Sequence, residues 1–163
     1  MRTLLLALAV SSTAVLAQTA FRSTLTAANP HLSLRAIVDP EVVSPGSELT
    51  ITFNVTPGRR IHVYAPGAEY QVVAVKVDPQ PGLKARDIVY PPSEIYHFEP
   101  LDERVPVYMK PFALKQAIAV SPQALKGKDA LTLSGKFEYQ ACDDRVCFKP
   151  NAIPFKFELR VKR

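Results

Sequence analysis

Two residues in this chain invite a chemical reading first. They are its only cysteines, Cys142 and Cys147, in the run Tyr139-Gln140-Ala141-Cys142-Asp143-Asp144-Arg145-Val146-Cys147-Phe148-Lys149-Pro150. Thiols can attack disulfides, bridge to each other or bind soft metals. Five positions along an extended strand cover about 17 Å, whereas a disulfide needs α-carbons within about 7 Å. A bridge therefore requires the chain to double back, and Asp143-Asp144 are suitable turn residues. A ring this small is a weak staple, with about 2 kcal/mol of chain-entropy stabilisation. A disulfide scaffold would use four to eight cysteines rather than two. A structural bridge and a reactive dithiol both remain open on these residues alone.

Charge constrains the reactive option. A carboxylate at about 6 Å costs a thiolate roughly 0.7 kcal/mol in a water-like medium. Asp143 and Asp144 should raise the thiol pKa values, and Arg145 partly offsets them. Such a pair attacks slowly at random, which suits a carrier that reacts when docked rather than an aggressive oxidant. Zinc takes three or four ligands at recognised spacings. Two thiols and the scattered His31, His62 and His97 do not supply them, so neither a metal nor another cofactor is expected.

The elements that must hold this segment read as strands. Ile51, Phe53 and Val55 alternate with Thr50, Thr52 and Asn54. Leu131, Leu133, Phe137 and Tyr139 alternate with polar neighbours, as do Phe155, Phe157, Leu159 and Val161. Period two with one apolar face suits antiparallel sheets. Weaker strands are expected over 32–38, 61–64, 72–77, 86–89, 105–108 and 114–120, separated by turns such as Ser44-Pro45-Gly46 and Gln80-Pro81-Gly82. The fold class expected is all-β, an immunoglobulin-like antiparallel sandwich with a cysteine-bearing hairpin insert. The segment Tyr90 to Pro106 carries four prolines and three aromatics; it reads as a long functional loop, too proline-rich for a central strand.

The N-terminus has a different pattern. Arg2, the apolar run Leu4–Val10 and the light residues Val15-Leu16-Ala17 match a cleavable secretory signal, with the cut after Ala17. The run is shorter than the roughly 20 apolar residues of a membrane span. Residues 1–17 are thus expected to be a signal peptide, 18–30 an aperiodic lead-in and 31–163 one β-sandwich domain in the periplasm or outside the cell. The net charge of +5 has no basic run beyond Arg59-Arg60. That argues against nucleic-acid binding, and no later segment argues for membrane insertion.

The cysteine segment resembles the active-site segment of the N-terminal periplasmic domain of DsbD, the thiol:disulfide interchange protein. Gly58 and Ile61-His62-Val63-Tyr64 resemble that family's aromatic strand beneath the cysteines. Val105-Pro106-Val107-Tyr108, followed by 117–120, resembles its central strands. The resemblance implies that Cys147 attacks and Cys142 resolves, with His62, Tyr64, Tyr139, Asp143 and Asp144 supporting them. It implies a cap within 93–103, placing Phe98 or Leu101 over the sulfurs. It also implies transfer of reducing equivalents from a thioredoxin-like donor to periplasmic disulfide isomerases or cytochrome-maturation proteins. The membrane electron conduit would then lie on a separate chain. The alternative is a non-redox adaptor with a structural disulfide, binding a partner at a sheet edge.

Overall fold

A computed structural model of the chain describes residues 21–99 and 102–162. Its strands are β1 (Thr24–Ala28), β2 (Leu32–Asp39), β3 (Val42–Val43), β4 (Glu48–Pro57), β5 (His62–Tyr64), β6 (Ala74–Val77) and β7 (Leu83–Val89). They continue as β8 (Glu94–Phe98), β9 (Glu103–Tyr108), β10 (Phe112–Val120), β11 (Ala130–Tyr139), β12 (Ala141–Cys142) and β13 (Asn151–Val161). One short helix, α1 (Pro122–Leu125), joins β10 to β11. The expected signal peptide and Leu101 lie outside the described residues.

Alternation becomes layering. In β4, Leu49, Ile51, Phe53 and Val55 turn inward while their neighbours are less buried, and β11 and β13 repeat the pattern. The first sheet runs β1-β2-β4-β10-β7 and the second β3-β13-β11-β6. Phe53 of the first meets Phe137 and Phe155 of the second at 5.8 and 5.3 Å between ring centroids. The fold is an immunoglobulin-like antiparallel β-sandwich; the one parallel pair among the named strands joins β13 to β3. A third sheet, β12-β5-β9-β8, carries the cysteine segment. It grows directly out of the second, because β11 ends at Tyr139 and β12 begins at Ala141.

Two segments depart from the sequence expectation. The lead-in over 18–30 contains β1, which pairs with β2 through five registered residues from Thr24↔Ile37 to Ala28↔Ser33. This is a short edge strand whose inward residues, Leu25 and Ala27, are only half-buried against the core, so its period is weak. The expected loop Tyr90 to Pro106 is instead largely the hairpin β8–β9. Proline was a poor guide here. The Pro106 carbonyl accepts from the Ala65 N–H at 2.9 Å. Its hydrogen-bonding edge therefore faces the β5 side, past the end of that strand, and its missing N–H removes no rung toward β8.

Gly135 marks the tightest approach within the second sheet. A β-carbon there would overlap the Lys76 carbonyl oxygen and lie 2.6 Å from Phe155 Cζ and 2.9 Å from Val77 Cα. Gly135→Ala is expected to destabilise the fold by at least about 2 kcal/mol, since backbone and a packed ring must both give way. The check is a urea midpoint that falls with an unchanged slope.

Candidate functional site

The site begins with a cross-strand pair. Cys142 lies opposite His62 in the β12–β5 ladder, next to Ala141 opposite Val63. Beyond Cys142 the chain turns at once. The Asp143 N–H donates to the Val146 carbonyl at 3.0 Å. The Asp143 carboxylate accepts from the N–H groups of Arg145 at 2.7 Å and Val146 at 2.8 Å. Those two donors hold the Asp143 carboxyl below its ordinary pKa, so it stays charged. The turn returns Cys147 to face Cys142, with 4.0 Å between α-carbons, and the two form a disulfide. The Phe148 N–H then reaches the Ala141 carbonyl at 2.9 Å and closes the hairpin.

The two sulfur-bearing residues have unlike surroundings. Cys142 is only 1% exposed and belongs to a small cluster with Tyr64, Val105 and Val107. Cys147, at the far side of the turn, is exposed. The Tyr64 hydroxyl lies 3.2 Å from both sulfurs. A disulfide has no S–H, so the phenol is the donor, its single proton shared between the two sulfurs. Burial, with Tyr70, Glu103 and Tyr96 nearby, pushes the Tyr64 pKa up to about 12, so it remains a donor through the neutral range. Tyr70 stacks on the Tyr64 ring at 4.4 Å and donates its own hydroxyl to Glu103 at 3.0 Å. His62 faces Tyr96 at 4.5 Å and meets Tyr64 edge-on at 5.8 Å. Burial lowers the His62 pKa, against the opposing pull of Asp144 and Asp143.

These groups enclose a cleft of about 150 Å³ that reaches both sulfurs. A family model described as "Thiol:disulfide interchange protein DsbD, N-terminal" matches residues 28–158. The chain belongs to the DsbD N-terminal family. Its cysteine pair is joined as a disulfide.

One solved structure agrees on the fold of this DsbD-type domain. The N-terminal periplasmic domain of ScsB from Proteus mirabilis matches with a TM-score of 0.53 at 17% identity, over 85% of this chain and 50% of that one. The chain thus spans half the length of that relative. The reduced N-terminal domain of DsbD from Neisseria meningitidis aligns with a TM-score of 0.43 at 18% identity, over 72% of this chain and 80% of that one. Among curated proteins there is no significant sequence match.

Of the residues singled out in the sequence, His62, Tyr64, Phe98, Cys142, Asp143 and Cys147 meet at the cleft of the DsbD-type domain. Asp144 lines a neighbouring depression beside His62. Tyr139 does not join them. It is fully buried in the main core, where its hydroxyl accepts from the Asn29 side chain at 2.7 Å. The other histidines lie elsewhere, His31 tilted against Phe148 and His97 paired with Asp102. Sequence reasoning did not name Tyr70, Val105 or Val146 as cleft residues; Tyr96 and Glu103 fell within the expected cap, and Arg145 entered only as a charge near the thiols. The density of tyrosines flanking the cysteine segment and β5 was the available signal.

Breaking the disulfide places charge on a departing sulfur, and a hydrogen bond to a charged group is worth about 1.5–3 kcal/mol. Tyr64→Phe keeps the ring but loses that donor. Reduction of the oxidised domain by dithiothreitol is expected to slow about ten- to a hundredfold, with the denaturation midpoint nearly unchanged. Stopped-flow reduction kinetics check this; an unchanged rate removes the hydroxyl from the chemistry.

Proposed function

We propose that the domain ferries reducing equivalents between a thioredoxin-like donor and disulfide-bearing partners in the periplasm, cycling Cys142 and Cys147 between disulfide and dithiol. The observation that carries this reading is the unequal exposure of the pair. An incoming thiolate can reach Cys147 at the turn, while Cys142 lies behind it against Tyr64. In the loading direction a donor thiolate attacks the Cys147 sulfur. The disulfide breaks, and Cys142 departs with the electron pair and takes up a proton. The donor's second thiol then resolves the mixed disulfide, leaving two thiols here and a disulfide on the donor. Delivery runs the same steps backward, so Cys147 is the attacking thiol and Cys142 the resolving one.

Other features support this assignment. The Asp143-Asp144 pair opposes thiolate formation in solution, and the Tyr64 hydroxyl favours it inside the cleft. Exposed Val146 and Tyr70 border the cleft, as an apolar rim for a docking domain would require. Phe98 is half-buried at the same cleft, at the end of β8. It serves as a shield against adventitious disulfides.

Three measurements test the reading. The potential of the pair is expected above the roughly −300 mV typical of structural disulfides, with the fold intact after reduction. A lower potential, or unfolding on reduction, favours an adaptor with a structural bridge. Cys142→Ser is expected to accumulate a mixed disulfide with a thioredoxin-like partner through Cys147, while Cys147→Ser accumulates little; equal trapping reverses the roles. Phe98→Ala is expected to speed reaction of the reduced domain with a small disulfide at little cost in stability. A loss of about 3–5 kcal/mol with no change in rate would instead mark Phe98 as packing.

A further inference from the structure

We propose that His62 is the proton acceptor for Cys142, the buried cysteine of the pair. The inference deepens the redox reading above and rests on it. Cys142 is 1% exposed and His62 4% exposed. They are direct cross-strand partners. Opposed residues in an antiparallel ladder share a face, with β-carbons about 4.5–5.5 Å apart. Both line the cleft. His62 alone of the two also lines a second depression, with Arg60 and Asp144 at its solvent edge. The imidazole thus stands between a buried sulfur and bulk water.

The groups around His62 leave it the proton-accepting role. Tyr64 on its own strand, Tyr96 from β8 and Tyr70 across the cleft all have raised pKa values and keep their protons near neutral pH. Arg60 and Arg145 are cations without an acceptor. Glu103 is engaged by Tyr70. Asp143 is held by two backbone N–H groups. Burial keeps His62 neutral, with a free nitrogen lone pair, and the carboxylates of Asp143 and Asp144 stabilise the imidazolium once it forms.

The step balances simply. Cys147 first attacks a partner disulfide, giving a mixed disulfide and one partner thiol. The Cys142 sulfur then attacks the Cys147 sulfur as its proton passes to His62. The Cys142–Cys147 bond forms, the bond from Cys147 to the partner breaks, and the partner sulfur leaves with the electron pair. That thiolate takes up a proton from His62 or from solvent. The domain is oxidised and the partner disulfide is reduced to two thiols. In the opposite direction the imidazolium returns the proton as Cys142 departs.

The test uses reduced protein and an aromatic disulfide, dithiobis-nitrobenzoate, in a stopped-flow instrument. The first thionitrobenzoate released reports attack by Cys147, and the second reports ring closure by Cys142. In the native protein the closure rate is expected to level off above a midpoint below about 6.5, the reference histidine value. In His62→Phe, which keeps a ring against Tyr96, closure is expected to keep rising through and beyond about 8.5, the reference thiol value. At neutral pH it should be slower by at least about tenfold, a modest share of ordinary general-base assistance. The first phase should be the same in both. Closure with the same pH profile in both proteins overturns the role of His62 and leaves the redox reading standing. A native pair that never closes overturns both. Should His62→Phe fail to fold, the NMR titration of His62 in reduced native protein decides: a neutral ring at pH 7 supports the proposal, and an imidazolium there overturns it.

Discussion

Everything at the reactive end follows from one short excursion of the chain. It leaves Cys142 and returns to Cys147 within five residues, bringing their α-carbons to 4.0 Å. Extended backbone cannot do this, and the Asp143 carboxylate makes it possible by gathering the N–H groups of Arg145 and Val146. The turn sets β12 at two residues, so only Ala141 and Cys142 pair with β5. It also divides the sulfurs, one against the small sheet and one facing out. The same carboxylate that shapes the turn biases the chemistry, because it is a fixed negative charge beside two potential thiolates.

The small sheet is a platform built onto a rigid body. Its strand β12 continues β11, whose ten residues all pair with β13. The sulfurs therefore inherit the positional precision of the main core, with Phe137 and Tyr139 immediately upstream. Across the cleft, the Glu103–Tyr70 hydrogen bond presses one tyrosine ring flat against another, and the second carries the hydroxyl that meets both sulfurs. Loss of any member of that series shifts the next, although only Tyr64 touches the reacting atoms.

Much of the scaffold was legible in the sequence because burial there is one-sided. β4, β11 and β13 each bury one face and wet the other, and period two survives intact. β1 and β8 are edge strands with half-buried faces, so their alternation is blurred. Proline misled over residues 90–104, where β8 and the start of β9 pair as a hairpin, although Pro106 itself fell in an expected strand. At the site, the need for a turn between the cysteines followed from distance alone, and Tyr64 and His62 followed from the family resemblance. The contact of Tyr70 with Glu103 was not legible because it spans 33 positions and depends on how β9 crosses the cleft. Tyr139 illustrates the converse. Its nearness to Cys142 in sequence placed it at the site, but strand alternation turns its ring into the sandwich.

The last strand gives the molecule a handle as well as a head. β13 starts at Asn151, just past the cysteine hairpin, and runs eleven residues to Val161. At about 3.3 Å per residue that is roughly 35 Å, enough to separate its far end from the reactive sulfurs by most of the domain. A surface linkage, reporter group or purification tether placed beyond Val161 therefore leaves the cleft unobstructed. One placed near β1 is different in kind, since β1 begins beside the bridge between Arg22 and Glu158 and would load the edge of the sandwich. For force spectroscopy or electrode attachment, the C-terminal side is the anchoring point that presents the disulfide outward.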